Sequence, residues 1–455
     1  MTPPSAVLHR HLHRVPYLAS SGKGSYITLE DGRRILDATG GAAVSCLGHG
    51  HESVTQAMVS QITQLSYCHT AFFSIKPFEE LAAFLRDSTG GRMSKVYIVG
   101  SGSEAMEAAM KLARQYYLEL DNPQSQRTRF IARKQSYHGI TLGALSMGGH
   151  TFRRQPFEPI LLPNVSHVSP CNAYRGRRDG ESDADYVARL ADELDGEFRR
   201  LGPETVCAFV AEPVVGAALG CVPSVPGYLT AMKSVCDKYG ALFILDEVMS
   251  GMGRCGTLHT WEQEDVVPDM QTIGKGLGGG YAPVAGLLIG EKIVNALDKG
   301  TGSFRHGHTY QGHPVSSAAA LAVQKVIQGE NLLENVRKMG DVLQSELKMR
   351  LSSHPHVGDI RGKGLFWGIE FVKNKITKEP FDPSLGIGYK IQDKGLTPPY
   401  GISIYGGQGT ADGIQGDHVL LAPPYNTTKE EIVLIAELVQ RVVEDTFTEV
   451  EGLSG

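Results

Sequence analysis

The feature that most constrains this chain is a series of short, continuously apolar, β-rich runs set apart by helix-length segments. Lys95–Val99 reads KVYIV, Val206–Ala211 reads VCAFVA and Ala241–Leu245 reads ALFIL. Ser103–Leu118 carries Ala, Met and Leu at helical spacing, and Gly227–Tyr239 is a second helical segment. Strands that are apolar at every position are buried on both faces, and strands separated by helices form a parallel sheet. Phe130–Arg133 is a further strand candidate and Pro77–Leu85 a helix. The chain start reads differently: Gly24–Leu29 and Arg33–Asp37 flank an Asp31-Gly32 turn, a hairpin signal. Past residue 318, helices are expected at Ala319–Gln328 and Leu332–Leu351, then an α+β segment, while 172–190 begins as a polar loop. The expected fold is α/β: a large domain over 61–320 with a mostly parallel sheet, and a smaller α+β domain assembled from 1–60 and 321–455.

The 455 residues leave room for two or three domains. A net charge of −5 offers no basic field, so neither nucleic acid nor an acidic membrane is an expected partner. The 54 glycines gather in short runs, as expected where backbone turns tightly or approaches a ligand. Seven scattered cysteines contain no C-x-x-C pair, so no metal centre is expected and reduced thiols are. The first twenty residues lack an apolar run of signal-peptide length. Arg10 and Arg14 with no acid before Glu30 faintly suggest a transit peptide, which Pro3, Pro4 and Pro16 oppose. No stretch approaches the ~20 apolar residues of a membrane span. A cytoplasmic protein is expected.

Three motifs carry chemistry. Gly100-Ser-Gly-Ser-Glu-Ala105 follows a strand and opens a helix, where unpaired backbone N–H groups form an anion site. Ser101 or Ser103 could equally serve as a helix cap, and the string also fits a dinucleotide fingerprint. Asp246 ends the ALFIL run, where open α/β sheets bind ligands, or else caps the following turn. Lys275 lies between Gly274 and Gly276; alone it reads as a solvated charge, but it could also form a Schiff base. One cofactor needs all three parts. Pyridoxal phosphate has a phosphate for a helix start, a ring nitrogen kept protonated by an acid, and an aldehyde that joins a lysine.

The ordered motifs ATGGAAVSCLGHGH (38–51), GSGSEAMEAAMKLAR (100–114), SYHG (136–139), AEPVVG (211–216), LDEVMSGMGRCG (245–256), PDMQTIGKGLGGGYAPVAG (268–286) and HGHTYQGHPVSSAAALA (306–322) span nearly the whole chain. Together they resemble the class III pyridoxal-phosphate aminotransferases of fold type I, the omega-transaminase-like group. The resemblance implies Lys275 as Schiff-base lysine and proton shuttle, and Asp246 as partner of the pyridinium nitrogen. It implies Val248 on one ring face and Tyr137 on the other, with His138 and Gly139 beside it. Gly102 and Ser103 would bind the phosphate. Glu212 would hold the Asp246 region, and Thr309 would reach the phosphate of a second subunit, making a homodimer with shared sites.

The resemblance implies ping-pong transfer of an amino group from a primary amine or amino acid to a 2-oxo acid or other carbonyl. One departure concerns the acceptor. Family members commonly place a mobile arginine ahead of a GDH…APP segment, yet none occurs between Arg361 and Arg441. The device that binds the acceptor carboxylate is then absent, replaced by an amide such as Gln415, or supplied from elsewhere. Tyr26, Tyr67, Phe72 and Phe73 are candidates for the pocket lining, and His138, His306, His308 and His313 can be ordinary packing residues. A decarboxylase, racemase or aminomutase on the same fold is the alternative. A nicotinamide-dependent dehydrogenase is disfavoured, because it gives Lys275 no role and offers only Asp121, in a loop, near the ribose position. A non-catalytic binding protein is disfavoured by the presence of Lys275.

Overall fold

The computed structural model describes residues 5–452; Pro3 and Pro4 lie outside them. Seven strands form the central sheet, ordered Lys95–Val99, Ala285–Ile289, Met270–Ile273, Leu242–Asp246, Val206–Ala211, Arg129–Arg133, Val165–Val168. Ala285–Ile289 runs antiparallel to both its neighbours, and the other six strands share one direction. The exception follows from its connection. Residues 274–284 hold only the single 3-10 turn Lys275–Leu277, too little for the helical crossover a parallel pairing needs.

Side chains alternate across this sheet with the period of two that strands impose. Leu242 and Ile244 enter the core beneath the helix Gly102–Leu118, while Phe243 and Leu245 enter the opposite core with Tyr186, Leu190, Phe198 and Met232. The latter four come from the helices Asp183–Leu201 and Tyr228–Lys238. Both faces are thereby covered, which explains the unbroken apolar runs. The polar stretch 172–190 turns into a helix at Asp183, where the Ser182 hydroxyl accepts from Asp185 N at 3.1 Å and caps the first turn. Sequence reading did not single out Met270–Ile273 or Ala285–Ile289, each only four or five residues long and lacking a helix between them.

The 24–37 hairpin is present as Tyr26–Leu29 paired antiparallel with Arg34–Asp37, and Ile402–Ser403 adds to it in parallel. A separate four-stranded sheet joins Val357–Lys363, Phe366–Phe371, Asp417–Leu421 and Tyr405–Gln408. Leu36, Val54, Val323, Val336, Ile402, Val419 and Phe447 share one core, so the two ends of the chain pack together. The expected boundaries at 60/61 and 320/321 fall within the helices Glu52–Gln64 and Pro314–Gly329. No described helix is long and apolar enough to cross a membrane.

Candidate active site

Because six strands share a direction, their carboxyl ends deliver Gly100–Ser103, the 136–139 segment, Glu212 and Asp246 to one edge of the sheet, together with the loop that follows Ile273. The sequence motifs, up to 175 residues apart, meet there (100 to 275). Val248 marks the meeting point. A Cβ added at Gly102 would lie 2.9 Å from Val248 Cγ1, and one added at Gly274 would lie 3.2 Å from the same atom. The helix start, the Asp246 strand end and the lysine loop therefore pack against a single side chain.

At the helix start, Ser101 is the cap: its hydroxyl accepts from Glu104 N at 3.3 Å. Ser103 does something else, since its Oγ accepts from Ile140 N at 3.0 Å and ties the 136–140 loop to the helix. The backbone N–H groups of Gly102 and Ser103 have no acceptor among the described residues. They are the open donors that an anion would fill. Gly139 closes this corner at φ +140°, and a Cβ there would sit 2.6 Å from Ser103 Oγ.

Asp246 is 5% exposed, and three hydrogen bonds hold its carboxylate. Oδ1 accepts from Val248 N and Thr272 Oγ1, each at 3.0 Å, and Oδ2 lies 2.7 Å from His138 Nδ1. A buried carboxylate is tolerated only with such partners. Glu212 is also buried, and burial raises its pKa above the usual carboxylate value. It accepts from Tyr137 N at 3.1 Å and Gly216 N at 3.2 Å. No hydrogen bond joins it to Asp246; it is bonded to the Tyr137 backbone, next to the His138 that contacts Asp246.

Lys275 adopts φ +43°, a left-handed conformation that non-glycine residues rarely accept. Its amine has no hydrogen-bond or ion-pair partner among the described residues. Desolvation lowers its pKa, with the nearby Arg153 charge acting in the same direction and Asp246 and Glu212 opposing it. It borders a cavity of about 130 Å³ lined also by Arg10, Thr39, Tyr137, Arg153 and an apolar wall of Ala43, Met249, Phe366 and Leu420. An unpartnered amine, open donors at a helix start and a fixed carboxylate fit the aldehyde, phosphate and ring nitrogen of pyridoxal phosphate.

Not every candidate enters this site. Thr309 is exposed and lines a separate depression with Ile62, Tyr67 and Tyr310, where Tyr67 Oη donates to the Thr309 carbonyl at 2.9 Å. Phe72 and Phe73 are 77% and 66% exposed, and Tyr26 packs against the terminal core beneath Arg34. None of these aromatics lines the Lys275 cavity. Gln415 is exposed in a turn held by Asp412 Oδ1 and stays outside as well. His308 pairs with Glu104 at 3.1 Å, a packing role. Sequence reasoning missed Arg153 and Thr272, which only the folded chain brings to the site.

Residues 7–443 match the family pattern described as aminotransferase class-III. An aminotransferase of Gibberella zeae is 54% identical over 96% of this chain and 85% of its own. An (S)-enantioselective omega-transaminase from Thermomicrobium roseum superimposes with a TM-score of 0.89 at 34% identity, covering 98% of this chain and 96% of that one. An amine transaminase from an uncultivated Pseudomonas species, solved in its PLP-bound form, gives 0.88 at 31% identity, covering 98% of each chain. The sheet-edge site and these likenesses agree: the chain belongs to the class III aminotransferases, with the fold type I architecture.

Proposed function

We propose that this aminotransferase moves an amino group from a primary amine or amino acid to a 2-oxo acid or other carbonyl acceptor, in ping-pong fashion, at pyridoxal phosphate. The observation that carries the reading is the convergence of the Lys275 amine, the Asp246 carboxylate and the open Gly102 and Ser103 N–H groups around Val248. Pyridoxal phosphate, when bound, supplies an electron sink for negative charge developing at the substrate carbon. Gly102 and Ser103 would hold its phosphate, and Asp246 would keep a proton on its ring nitrogen. Val248, Tyr137, His138 and Gly139 would shape the slot for its ring, with Glu212 bracing the Tyr137 backbone. Lys275 would anchor its aldehyde and then, as the neutral amine that desolvation favours, move a proton at the substrate carbon.

Thr309 is assigned to the phosphate of a partner subunit in a homodimer. Its exposure beside Tyr310, itself 61% exposed, supports that role. The cytoplasm is the proposed compartment, supported by seven unpaired cysteines, six of them buried.

The visible spectrum of the purified enzyme tests the reading. Its colour should bleach with an amine and return with an oxo acid. Lys275→Ala should lower turnover at least ~100-fold, the lower end for a general acid–base group, and let the cofactor dialyse away. Wild-type turnover in that variant would sink the assignment.

A further inference from the structure

The Lys275 cavity contains a cation that the reaction described above does not use. Arg153 lies on the short helix Thr151–Arg154, and its guanidinium carbon stands 4.6 Å from the centre of the Tyr137 ring. Its side chain makes no hydrogen bond or ion pair among the described residues. The adjacent Arg154 shows what an occupied guanidinium looks like: it bonds Glu158 and the carbonyls of Ser146 and Gly148. No Asp or Glu lines the cavity, where the other cationic groups are Lys275 and the exposed Arg10.

Three physical points follow. A guanidinium stays charged at any working pH, so Arg153 is a permanent positive charge in a cavity with no carboxylate among its described lining residues. The ring contact orients the group through its face and leaves the in-plane N–H donors free. Those donors form a fork whose geometry matches a carboxylate. The loop 409–416, which contains no arginine, packs on the start of the same helix: a Cβ at Gly413 would lie 2.5 Å from Thr151 Oγ1. The charge that this loop lacks is supplied next door.

We propose that Arg153 is the carboxylate receptor of this site and selects 2-oxo acid acceptors over uncharged carbonyl compounds, an inference that rests on the transaminase reading. Arg153 binds and orients the acceptor, and the proton transfer stays with Lys275. Arg10 is the weaker candidate, being exposed and over no aromatic ring among the described residues.

The test is calorimetric titration of the cofactor-loaded enzyme with propionate and with its neutral isostere propionamide, in wild type, Arg153→Met, Arg153→Lys and Arg10→Ala. Wild type should prefer propionate. Arg153→Met should erase that preference by about 10- to 100-fold, the range for a charge-assisted hydrogen bond. Arg153→Lys should restore part of it, because lysine returns the charge without the fork. In turnover, the KM for pyruvate should rise by a similar factor in Arg153→Met, far more than the KM for propanal. Three results would overturn the proposal: an unaltered propionate preference in Arg153→Met, equal losses for both ligands, or a preference abolished by Arg10→Ala alone. An enzyme that binds propionate through Arg153 yet never cycles between amine and oxo acid would refute the transaminase reading and leave the carboxylate site standing.

Discussion

Replacing Gly139 by alanine puts the geometry of the proposed cofactor cradle to a quantitative test. Gly139 holds φ +140°, a conformation that costs an L-residue about 1–3 kcal/mol. Space is lacking as well, since the new Cβ would sit 2.6 Å from Ser103 Oγ, 2.8 Å from Ala144 Cβ and 3.0 Å from Ser103 Cα. Two of these neighbours belong to the helix start and none is the far end of a flexible chain. Relief requires the 136–140 loop to move away, which breaks the 3.0 Å bond from Ile140 N to Ser103 Oγ, worth about 1 kcal/mol. The combined penalty is about 2–4 kcal/mol, and it falls on the corner where the N–H groups of Gly102 and Ser103 are exposed. At ~1.4 kcal/mol per tenfold, cofactor affinity should drop about 30- to 1000-fold. Equilibrium dialysis followed by absorbance of the bound cofactor measures it. Gly90→Ala is the control: Gly90 also has positive φ, +62°, but nothing lies within 4 Å of its Cβ position. That variant should lose some thermal stability and bind cofactor as wild type does. Normal cofactor affinity in Gly139→Ala would refute the cradle; equal losses in both variants would mean that only global stability had been measured.

Asp246→Asn should keep the fold, because Oδ1 can still accept from Val248 N and Thr272, while kcat falls about 10- to 1000-fold, the effect of a 1–3 unit loss in the ring-nitrogen pKa. Single-turnover absorbance with an amine reads this directly, and a normal rate would refute the electron-sink role. His418 is fully buried, and burial lowers its pKa to about 3, against an ordinary value of 6.5. A depressed histidine pKa contributes stability above pH 6.5 that is lost as pH falls towards 3. At pH 5 the loss is about 2 kcal/mol. In urea titrations His418→Gln should therefore narrow the stability gap between pH 7 and pH 5 by about that amount; an unchanged gap would show that His418 is not the responsible group.

The large sheet was legible because burial on both faces writes itself into single strands. VCAFVA and ALFIL needed no partner to be read, since every position in them meets a core. The two strands that follow Asp246 were not singled out for the opposite reason. Met270–Ile273 and Ala285–Ile289 are joined by a loop whose composition answers to the lysine rather than to a helix, so no alternation announces them. The site was legible where function acts through backbone. A Cβ would collide at Gly102 and Gly139 and crowd Val248 at Gly274, and the glycine-rich motifs in the sequence mark these backbone positions.

Side chains that arrive through space leave no comparable trace. Arg153 and Arg154 are adjacent in sequence, equally charged and on one helical turn, yet one is consumed by Glu158 and carbonyl oxygens while the other faces Lys275. Periodicity cannot separate them. Only the Tyr137 ring under one guanidinium and the carbonyls around the other do so. The acceptor carboxylate presented the same problem: no arginine occurs between Arg361 and Arg441, although the 409–416 loop within that stretch packs on Thr151, two residues from one. A recognition charge is constrained by where its guanidinium ends, not by which segment carries it. An arginine absent from one stretch of sequence is therefore evidence about that stretch alone. Whether the site can bind an acid is decided by what enters the cavity, and Arg153 enters it with no ion-pair partner among the described residues.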